Sequence, residues 1–223
     1  MQLSQLLGVQ PGITALTGGG GKTTALYTLA RELEEEGSVI CATTTRIFPP
    51  DHLPVLEGAD LQELSEALER RRCLCVGVPA PEGKLAQPAL PLQTLAGLAR
   101  YVLVEADGSR GLPVKAHLDH EPVIPLGTDL TVGIVGASGF GRPVREAVHR
   151  WERFCALTGA AAEEPVTEES VARLLEAEGL ADKIFINQAE SARAMTAARH
   201  LAERLNCPVF AGSLQGGIWT CLS

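Results

Sequence analysis

A run of four glycines followed by Lys-Thr-Thr, at residues 18–24, is the feature that most constrains this chain. It lies between a short apolar run, residues 13–16, and a segment with helical apolar spacing from Ala25 onward. A strand, a glycine turn and a helix in this order predict a phosphate-binding loop, because glycine lets backbone N–H groups approach phosphate oxygens and the helix adds its positive N-terminal end. The nucleotide-binding residues predicted in this way are Gly18, Gly19, Gly20, Gly21, Lys22, Thr23 and Thr24.

Two residues of this loop carry the predicted chemistry. Lys22 is expected to reach the β- and γ-phosphates of ATP or GTP and to stabilise their charge, and the Thr23 hydroxyl is expected to complete the coordination of Mg²⁺. The alternative is a flexible glycine turn that happens to precede Lys-Thr. The strand and helix patterns on either side favour the phosphate loop.

Residues 17–24 resemble the Lys-Gly-Gly-x-Gly-Lys-Thr-Thr loop of the MinD and nitrogenase-iron-protein branch of P-loop NTPases. The usual Gly-x-x-x-x-Gly-Lys-Ser/Thr pattern would place its first glycine at Leu16, so the loop is a variant. Thr17 stands where that branch has a signature lysine, which reaches the nucleotide of a dimer partner. The resemblance therefore implies a P-loop NTPase-like fold and gives no support to dimer-activated hydrolysis.

Composition limits the class of protein. A chain of 223 residues fits one domain over residues 1–223. A net charge of −8 and only 4% aromatic residues argue against nucleic acid as a partner. No stretch reaches the roughly 18 apolar residues that span a bilayer, and the first residues lack a signal-peptide pattern, so we expect a cytoplasmic protein without a membrane partner. The six cysteines contain no Cys-x-x-Cys pair and are expected to be reduced, mostly buried thiols.

Apolar runs and helical patterns alternate along the chain. This alternation predicts an α/β fold with a largely parallel, doubly wound sheet in three layers. Residues 79–91, which are rich in proline, are expected to form an excursion such as a small hairpin. Strands are predicted at residues 13–16, 38–42, 73–78, 101–104, 130–135, 183–186 and 208–211, and helices at residues 25–36, 61–71, 92–99, 143–157, 167–178 and 189–205.

Two carboxylates, Glu105 and Asp107, follow a fully apolar strand and precede Gly108. A P-loop enzyme needs an acidic element at a strand end to hold Mg²⁺ and to arrange the nucleophile. We predict that one of the two carboxylates holds the metal and the other orients the nucleophile, and their spacing does not assign the roles. The alternative is a surface turn, since Asp-Gly is a common turn pair.

Polar residues also follow the predicted strand at residues 38–42. Thr43, Thr44 and Thr45 could bring hydroxyls to Mg²⁺ or phosphate, or they could cap a turn, and the pattern does not decide between these roles. Arg46 is predicted to be catalytic, because a guanidinium group at this position could neutralise charge in the transition state.

The segment at residues 184–190 resembles the Asn-Lys-x-Asp element by which GTP-binding proteins recognise the base. Gln188 and Glu190 replace its lysine and aspartate. Asn187 could contact a purine edge and Glu190 could accept from guanine amino groups, while ATP remains equally compatible. The alternative is a strand end with a glutamate near a helix N-terminus.

Several stretches together resemble one family, the YqeC-like accessory proteins of selenium-dependent molybdenum hydroxylases. The resemblance runs nearly end to end and is most specific at residues 104–125. It implies a nucleotide-dependent step in the maturation of such an enzyme, without identifying the substrate. The stretches that carry it are residues 17–24, 43–46, 104–116, 120–125, 135–141 and 149–150.

Polar residues in and near these stretches could form a second pocket for an anionic substrate, such as a selenium-containing or pterin-containing small molecule. Each of them could equally be a surface ion pair. A small-molecule kinase and a nucleotide-gated chaperone that binds the apo-hydroxylase are the rival functions. The predicted pocket residues are Arg110, Lys115, His120, Glu121 and Arg142, and His149 and Arg150 lie in the same set.

Overall fold

The structure, a computed structural model, describes residues 1–223. Helices and strands alternate along the chain, as the sequence predicts. The helices are α1 Leu3–Leu7, α2 Lys22–Leu33, α3 Leu61–Arg70, α4 Leu92–Leu98, α5 Val144–Ala147, α6 Trp151–Thr158, α7 Glu168–Glu178 and α8 Ala192–Ala202.

Several strands are short and fully buried, which explains why their sequences are continuous apolar runs rather than an alternating pattern. The strands are β1 Gly12–Gly18, β2 Val39–Thr43, β3 Arg46–Ile47, β4 Val55–Glu57, β5 Cys73–Ala80, β6 Lys84–Ala86, β7 Tyr101–Glu105, β8 Val114–Lys115, β9 Leu130–Gly136, β10 Val148–His149, β11 Lys183–Asn187, β12 Val209–Ser213 and β13 Ile218–Cys221.

The chain divides into two compact units, and each is made of several segments. The prediction of a single domain over residues 1–223 stays a prediction. The first unit comprises Met1–Leu16, Thr23–Gly108 and Val123–Leu130, and the second comprises Thr17–Lys22, Ser109–Pro122 and Thr131–Ser223.

The first unit is built on parallel strands in the order β1, β7, β2 and β5, with β4 also parallel to β5. β6 turns back antiparallel to β5 and pairs with β3, which confirms the hairpin predicted within residues 79–91. One face of these strands packs on α3 and α4. Its core includes Ile40 and Ala42 of β2, Val102 and Val104 of β7, Leu64 of α3, and Leu92 and Leu95 of α4.

In the second unit, β9, β11 and β12 run parallel, and β13 is antiparallel to β12. Alternate residues of these strands, such as Ile184 and Ile186, pack with apolar residues of α7 and α8. Local signals set the helix ends: the Thr167 side chain accepts from the backbone N–H of Ser170 at the start of α7, and Gly179 adopts the left-handed conformation at its end. The predicted α/β class with a mostly parallel sheet is confirmed.

One predicted helix is wrong. Residues 143–157 do not form a continuous helix, because α5 ends at Ala147 and β10 is extended. β10 pairs in parallel with β8, with Val148 opposite Val114 and His149 opposite Lys115. A contact with a segment more than thirty residues earlier in the chain overrides the local helical pattern, and Arg150, with a φ of 66°, redirects the chain into α6.

The cysteines are all unpaired thiols. Cys41, Cys73 and Cys75 are buried on β2 and β5, while Cys155 and Cys207 are partly buried and Cys221 is exposed. Burial raises the pKa of the Cys75 thiol to about 12, and a hydrogen bond with Cys73 together with burial holds the pKa of Cys41 well above its usual value. The Cys41 and Cys75 thiols are therefore protonated at neutral pH.

None of the helices combines the length and the apolar character that crossing a membrane requires.

Candidate functional site

The glycine-rich loop connects β1 to α2, as predicted. Gly18 and Gly20 have positive φ values of 92° and 82°. A Cβ atom would lie 2.3 Å from the Ile134 carbonyl oxygen if added at Gly18, and 2.4 Å from the Gly136 Cα if added at Gly20. Both the backbone conformation and the space around it therefore require glycine. The Gly19 N–H donates to the same Ile134 oxygen at 2.9 Å, which ties the loop to β9.

Lys22 is only 3% exposed. Its Nζ donates to the Gly18 carbonyl oxygen at 2.6 Å, so the side chain folds back over the loop that precedes it. An ammonium group held against a glycine-rich loop at a helix N-terminus lies where a phosphate group would be bound. Phosphate binding by the loop and by Lys22 stays a prediction.

Asn187, at the end of β11, holds the loop from the other side. Its side-chain nitrogen donates to the Gly20 carbonyl oxygen at 2.8 Å, and its side-chain oxygen accepts from the Leu214 N–H at 3.0 Å. A Cβ added at Gly21 would lie 2.4 Å from this nitrogen. Asn187 therefore supports the phosphate loop, a role that the sequence analysis missed because the two residues are 167 positions apart.

The remaining residues of the predicted base-recognition element are placed as follows. Gln188 adopts a φ of 63°, and its Oε1 accepts from the Ser138 hydroxyl at 2.6 Å. Glu190 is exposed on the segment that precedes α8. Base recognition by Asn187 and Glu190 stays a prediction.

In the first unit, Glu105 is the carboxylate that contacts the start of α2. The Thr23 hydroxyl donates to Glu105 Oε2 at 2.7 Å. Glu105 is 6% exposed, and Asp107, two residues further, is fully buried. A hydroxyl and carboxylate oxygens are hard donors that suit Mg²⁺. The structure contains no group of three or more His, Cys, Asp or Glu side chains able to hold a metal, so a magnesium ion here would also need phosphate oxygens.

Thr43, the last residue of β2, and Thr44 both contact the backbone of Glu105. The Thr43 hydroxyl donates to the Glu105 carbonyl oxygen at 2.9 Å, and the Thr44 N–H donates to the same oxygen at 3.1 Å. Thr43 therefore fixes a strand end, as one of the two alternatives had it. The Thr44 hydroxyl is buried without a hydrogen-bond partner, so it can serve a ligand.

Arg46 and Thr24 are both exposed. Arg46 lies on β3 opposite Ala86 of the hairpin, where its charge acts on Glu82. The catalytic role of Arg46 and the nucleotide-binding role of Thr24 stay predictions.

A cationic cluster in the second unit contains two of the predicted pocket residues, Lys115 and Glu121, together with Arg150. Lys115 Nζ lies 3.2 Å from Glu121 Oε2, and Arg150 Nη2 lies 3.5 Å from Glu121 Oε1. The Lys115 side chain is completely buried. Glu121 thus bridges two cations that come from different segments of the chain.

Backbone pairing places His149 beside this cluster. His149 is opposite Lys115 in the ladder of β8 and β10, and its carbonyl oxygen accepts from the Ala116 N–H at 3.0 Å. Burial first, and then the charges of Lys115, Arg150 and Arg110, lower the pKa of His149. Burial opposes ionisation of Glu121, but Lys115 and Arg150 outweigh it and hold the pKa of Glu121 below its usual value. At neutral pH the cluster therefore combines a neutral imidazole with an ionised carboxylate.

The other three predicted pocket residues, Arg110, His120 and Arg142, are exposed. Arg142 donates to the Glu146 carbonyl oxygen at 3.4 Å, within its own turn. His117 is a buried residue that the sequence analysis did not assign: its N–H donates to Glu178 Oε1 at 2.6 Å, and its Nδ1 lies 2.7 Å from Glu178 Oε2. This pair connects the segment that follows β8 to the C-terminal end of α7.

Comparison with known proteins gives three results. The family model described as YqeC protein matches residues 14–152. The uncharacterized protein YqeC of Escherichia coli strain K12 is 38% identical over 164 residues, which cover 69% of this chain and 64% of that protein, so the match spans just under two thirds of the relative. The crystal structure of the signal recognition particle 54 kDa protein of Aeropyrum pernix in complex with GDP aligns with 95% of this chain and 44% of its own, at 13% identity and a TM-score of 0.39.

The last likeness is too distant to inform function. The first match covers more than half of the chain, and the second agrees with it in name and in much of its extent. On this evidence, the chain belongs to the YqeC family.

Proposed function

We propose that this protein binds ATP or GTP with Mg²⁺ through the loop at residues 17–22 and uses the triphosphate for hydrolysis or phosphoryl transfer. The observation that carries the proposal is the fixed loop, in which the Gly19 N–H, the Gly20 carbonyl and Lys22 all have defined partners. A loop held in this way needs little reorganisation to receive phosphate oxygens, which favours binding.

The roles of individual residues follow from their contacts. Lys22 would stabilise charge on the β- and γ-phosphates. Thr23, the next residue, and its partner Glu105 would hold the metal, which leaves Asp107 to orient the nucleophile. When bound, Mg²⁺ supplies neutralisation of charge on the phosphate oxygens. In either reaction the bond from the γ-phosphorus to the β–γ bridging oxygen breaks, and a new P–O bond forms to water or to an acceptor.

The pathway part of the proposal is maturation of selenium-dependent molybdenum hydroxylases. It is supported by the sequence resemblance at residues 104–125 and by nothing in the geometry. A small-molecule kinase is the second candidate, and the cationic cluster beside the phosphate loop favours it. A nucleotide-gated chaperone of the apo-hydroxylase is the third candidate function, and the assays below must distinguish it from the other two.

Calorimetric titration with ATP, GTP and their diphosphates tests the proposal, first with Mg²⁺ and then with the metal chelated. We expect magnesium-dependent binding of a triphosphate, weakened about a hundredfold or more in Lys22→Ala. Lys84→Ala is the matched control, because Lys84 pairs with Glu82 on the hairpin of the first unit. A folded Lys22→Ala protein that binds nucleotide unchanged would sink the proposal.

Turnover assays then separate the candidates. Phosphate release without any partner indicates a hydrolase, and turnover that requires a small acceptor indicates a kinase. Slow release that accelerates only with the apo-hydroxylase indicates the chaperone.

A further inference from the structure

A cavity of about 220 Å³ lies within the second unit, between α7 and the strands β9 and β11. Each residue of its aliphatic wall is buried. Protein interiors contain few voids larger than a water molecule, so a cavity of this size exceeds ordinary packing gaps. The wall includes Ile134 and Val135 of β9, Val171 and Leu174 of α7, and Ile184 of β11.

The cavity meets solvent at the C-terminal end of α7 and at the segment before β12. Leu175, Leu180 and Cys207 line it there and are half-buried. Glu176 and Asn206, which also belong to the lining, are exposed. A small molecule can therefore enter the cavity from the surface, past a border of apolar side chains.

One part of the wall adjoins the phosphate loop. Thr17 and Gly18, at the end of β1, line the cavity together with Ile134. The Ile134 carbonyl oxygen accepts from the Gly19 N–H at 2.9 Å. A molecule in the cavity would therefore contact β9, the strand to which the loop is tied.

The buried ionisable side chains of the lining are already paired. Lys115 Nζ lies 3.2 Å from Glu121 Oε2, and His117 Nδ1 lies 2.7 Å from Glu178 Oε2. A charged ligand would lose its hydration in this cavity without gaining an unused partner of opposite charge, which is costly. The lining therefore favours a neutral molecule.

The volume and the wall together define the size and character of the ligand. In another protein, an engineered cavity of about 150 Å³ lined by leucine, isoleucine and phenylalanine stays dry and binds benzene. The cavity described here is larger and has a similar aliphatic wall, so it suits a fused two-ring compound. Wall atoms around an empty void lack contacts on one side, and a bound apolar molecule restores these contacts.

We propose that the second unit binds a neutral, largely apolar small molecule, of about the size of a fused two-ring compound, in the cavity between α7, β9 and β11. Burial of the ligand against the aliphatic wall provides the affinity. The site is additional to the nucleotide site and does not depend on the proposed function, because none of its contacts requires a phosphate group.

The test is calorimetric titration of the full chain with indole, without nucleotide or magnesium. We expect one saturable site with a dissociation constant of about 1 mM or lower, and a higher midpoint of thermal unfolding at saturation. Benzene should bind more weakly because it leaves part of the cavity empty. Saturable binding of neither compound would overturn the inference.

The charge of the ligand is tested with indole-3-carboxylate, which is an anion at pH 7. It should bind about tenfold or more weakly than indole, since the cavity does not replace the hydration of its carboxylate. Equal binding of the two compounds would overturn the assignment to a neutral molecule.

Two variants fill the cavity. Val171→Phe replaces an isopropyl group of the wall with a benzyl group, and Ala181→Leu adds an isopropyl group at a half-buried position of the lining. Each should weaken indole binding about tenfold or more. Val171→Phe should also keep the denaturation midpoint of the wild type, because its ring enters empty space, whereas overpacking of a filled core would lower the midpoint.

The matched control is Ala177→Leu, the same substitution as Ala181→Leu at an exposed position of α7 outside the lining. It should bind indole as the wild type does. Ala181→Leu also keeps the test decisive if Val171→Phe fails to fold, because Ala181 lies at the half-buried border. Wild-type indole affinity in folded Ala181→Leu, or equal weakening in Ala177→Leu and Ala181→Leu, would overturn the inference.

Discussion

The glycine-rich loop at residues 17–22 and the cluster of Lys115, Glu121 and Arg150 both hold buried or partly buried basic side chains, but they are built from different atoms. The loop relies on backbone groups, on glycines that admit no Cβ and on one lysine. The cluster relies on side chains that come from β8, from the segment after β8 and from the residue that follows β10. Lys115 and Arg150 share one carboxylate, that of Glu121.

This difference predicts how anion binding in each region should respond to substitutions. A backbone site fails when its conformation changes, even if no charge is lost. A side-chain site tolerates changes in its backbone and responds to charge. The following substitutions are chosen to break or sharpen this contrast.

The largest effect is expected from Gly20→Ala. The added Cβ would meet the Gly136 Cα at 2.4 Å on a backbone with a φ of 82°, so we expect a loss of about 3 kcal/mol or more in the free energy of unfolding, together with loss of triphosphate binding. Gly159→Ala is the matched control, because its φ is 78° and the space around it is open. Chemical denaturation and calorimetry measure both. If the two variants lose the same stability, the close packing of the loop is not the cause.

Asn187→Ala should have the next largest effect. It leaves the Gly20 carbonyl and the Leu214 N–H without their partner, at a cost of about 1–3 kcal/mol in the free energy of unfolding. Triphosphate affinity should fall while the ratio of ATP to GTP affinity stays constant, because the residue supports the loop. Asn206→Ala, an exposed asparagine in the same unit, is the control. A changed ratio would instead favour contact with the base.

Thr23→Val should cost about 1 kcal/mol in the free energy of unfolding, since it removes one hydrogen bond to Glu105. Its effect on binding is more specific: triphosphate affinity should lose most of its dependence on Mg²⁺, whereas Thr24→Val, at an exposed position, should leave that dependence intact. Titrations at several magnesium concentrations measure it. Unchanged magnesium dependence in Thr23→Val would remove Thr23 from the metal site.

The smallest effect concerns the cluster and pH. Because the pKa of Glu121 is lowered in the folded protein, its ion pairs add stability above the unfolded pKa of 4.5, and this stability is lost as the pH falls through the folded value. The wild type should therefore exceed Glu121→Gln by about 1 kcal/mol or less at pH 7, and the difference should vanish in acid. Urea unfolding from pH 7 to pH 3 measures this. A difference that grows on acidification would contradict the assignment.

Whether a feature of the structure can be predicted from the sequence depends on how far apart in the chain the interacting residues lie. The loop was predictable because its residues are contiguous and each position has a local physical requirement. The buried strands and most helices were predictable for the same reason. The helix proposed at residues 143–157 was wrong because β10 pairs with β8, a contact that no local pattern reports.

The candidate site was only partly predictable. The Thr23 hydroxyl donates to Glu105, a carboxylate at a strand end, and the metal-binding role of Glu105 stays a prediction. The support of the loop by Asn187 was missed, since resemblance to a base-recognition element suggested another use for the residue. Of the predicted pocket residues, Lys115 and Glu121 come together while Arg110, His120 and Arg142 are exposed, because bridging by Glu121 depends on side-chain positions in space.

The rate at which the buried thiols of β2 and β5 are alkylated reports how often the first unit opens. Cys41 of β2 and Cys75 of β5 lie opposite each other in neighbouring strands, and both thiols remain protonated. An alkylating reagent therefore reacts with them only after the strands separate. Cys221 is exposed and should react at once. The delay between these reactions, followed by mass spectrometry in native buffer, reports how often this part of the sheet opens without any added label or mutation.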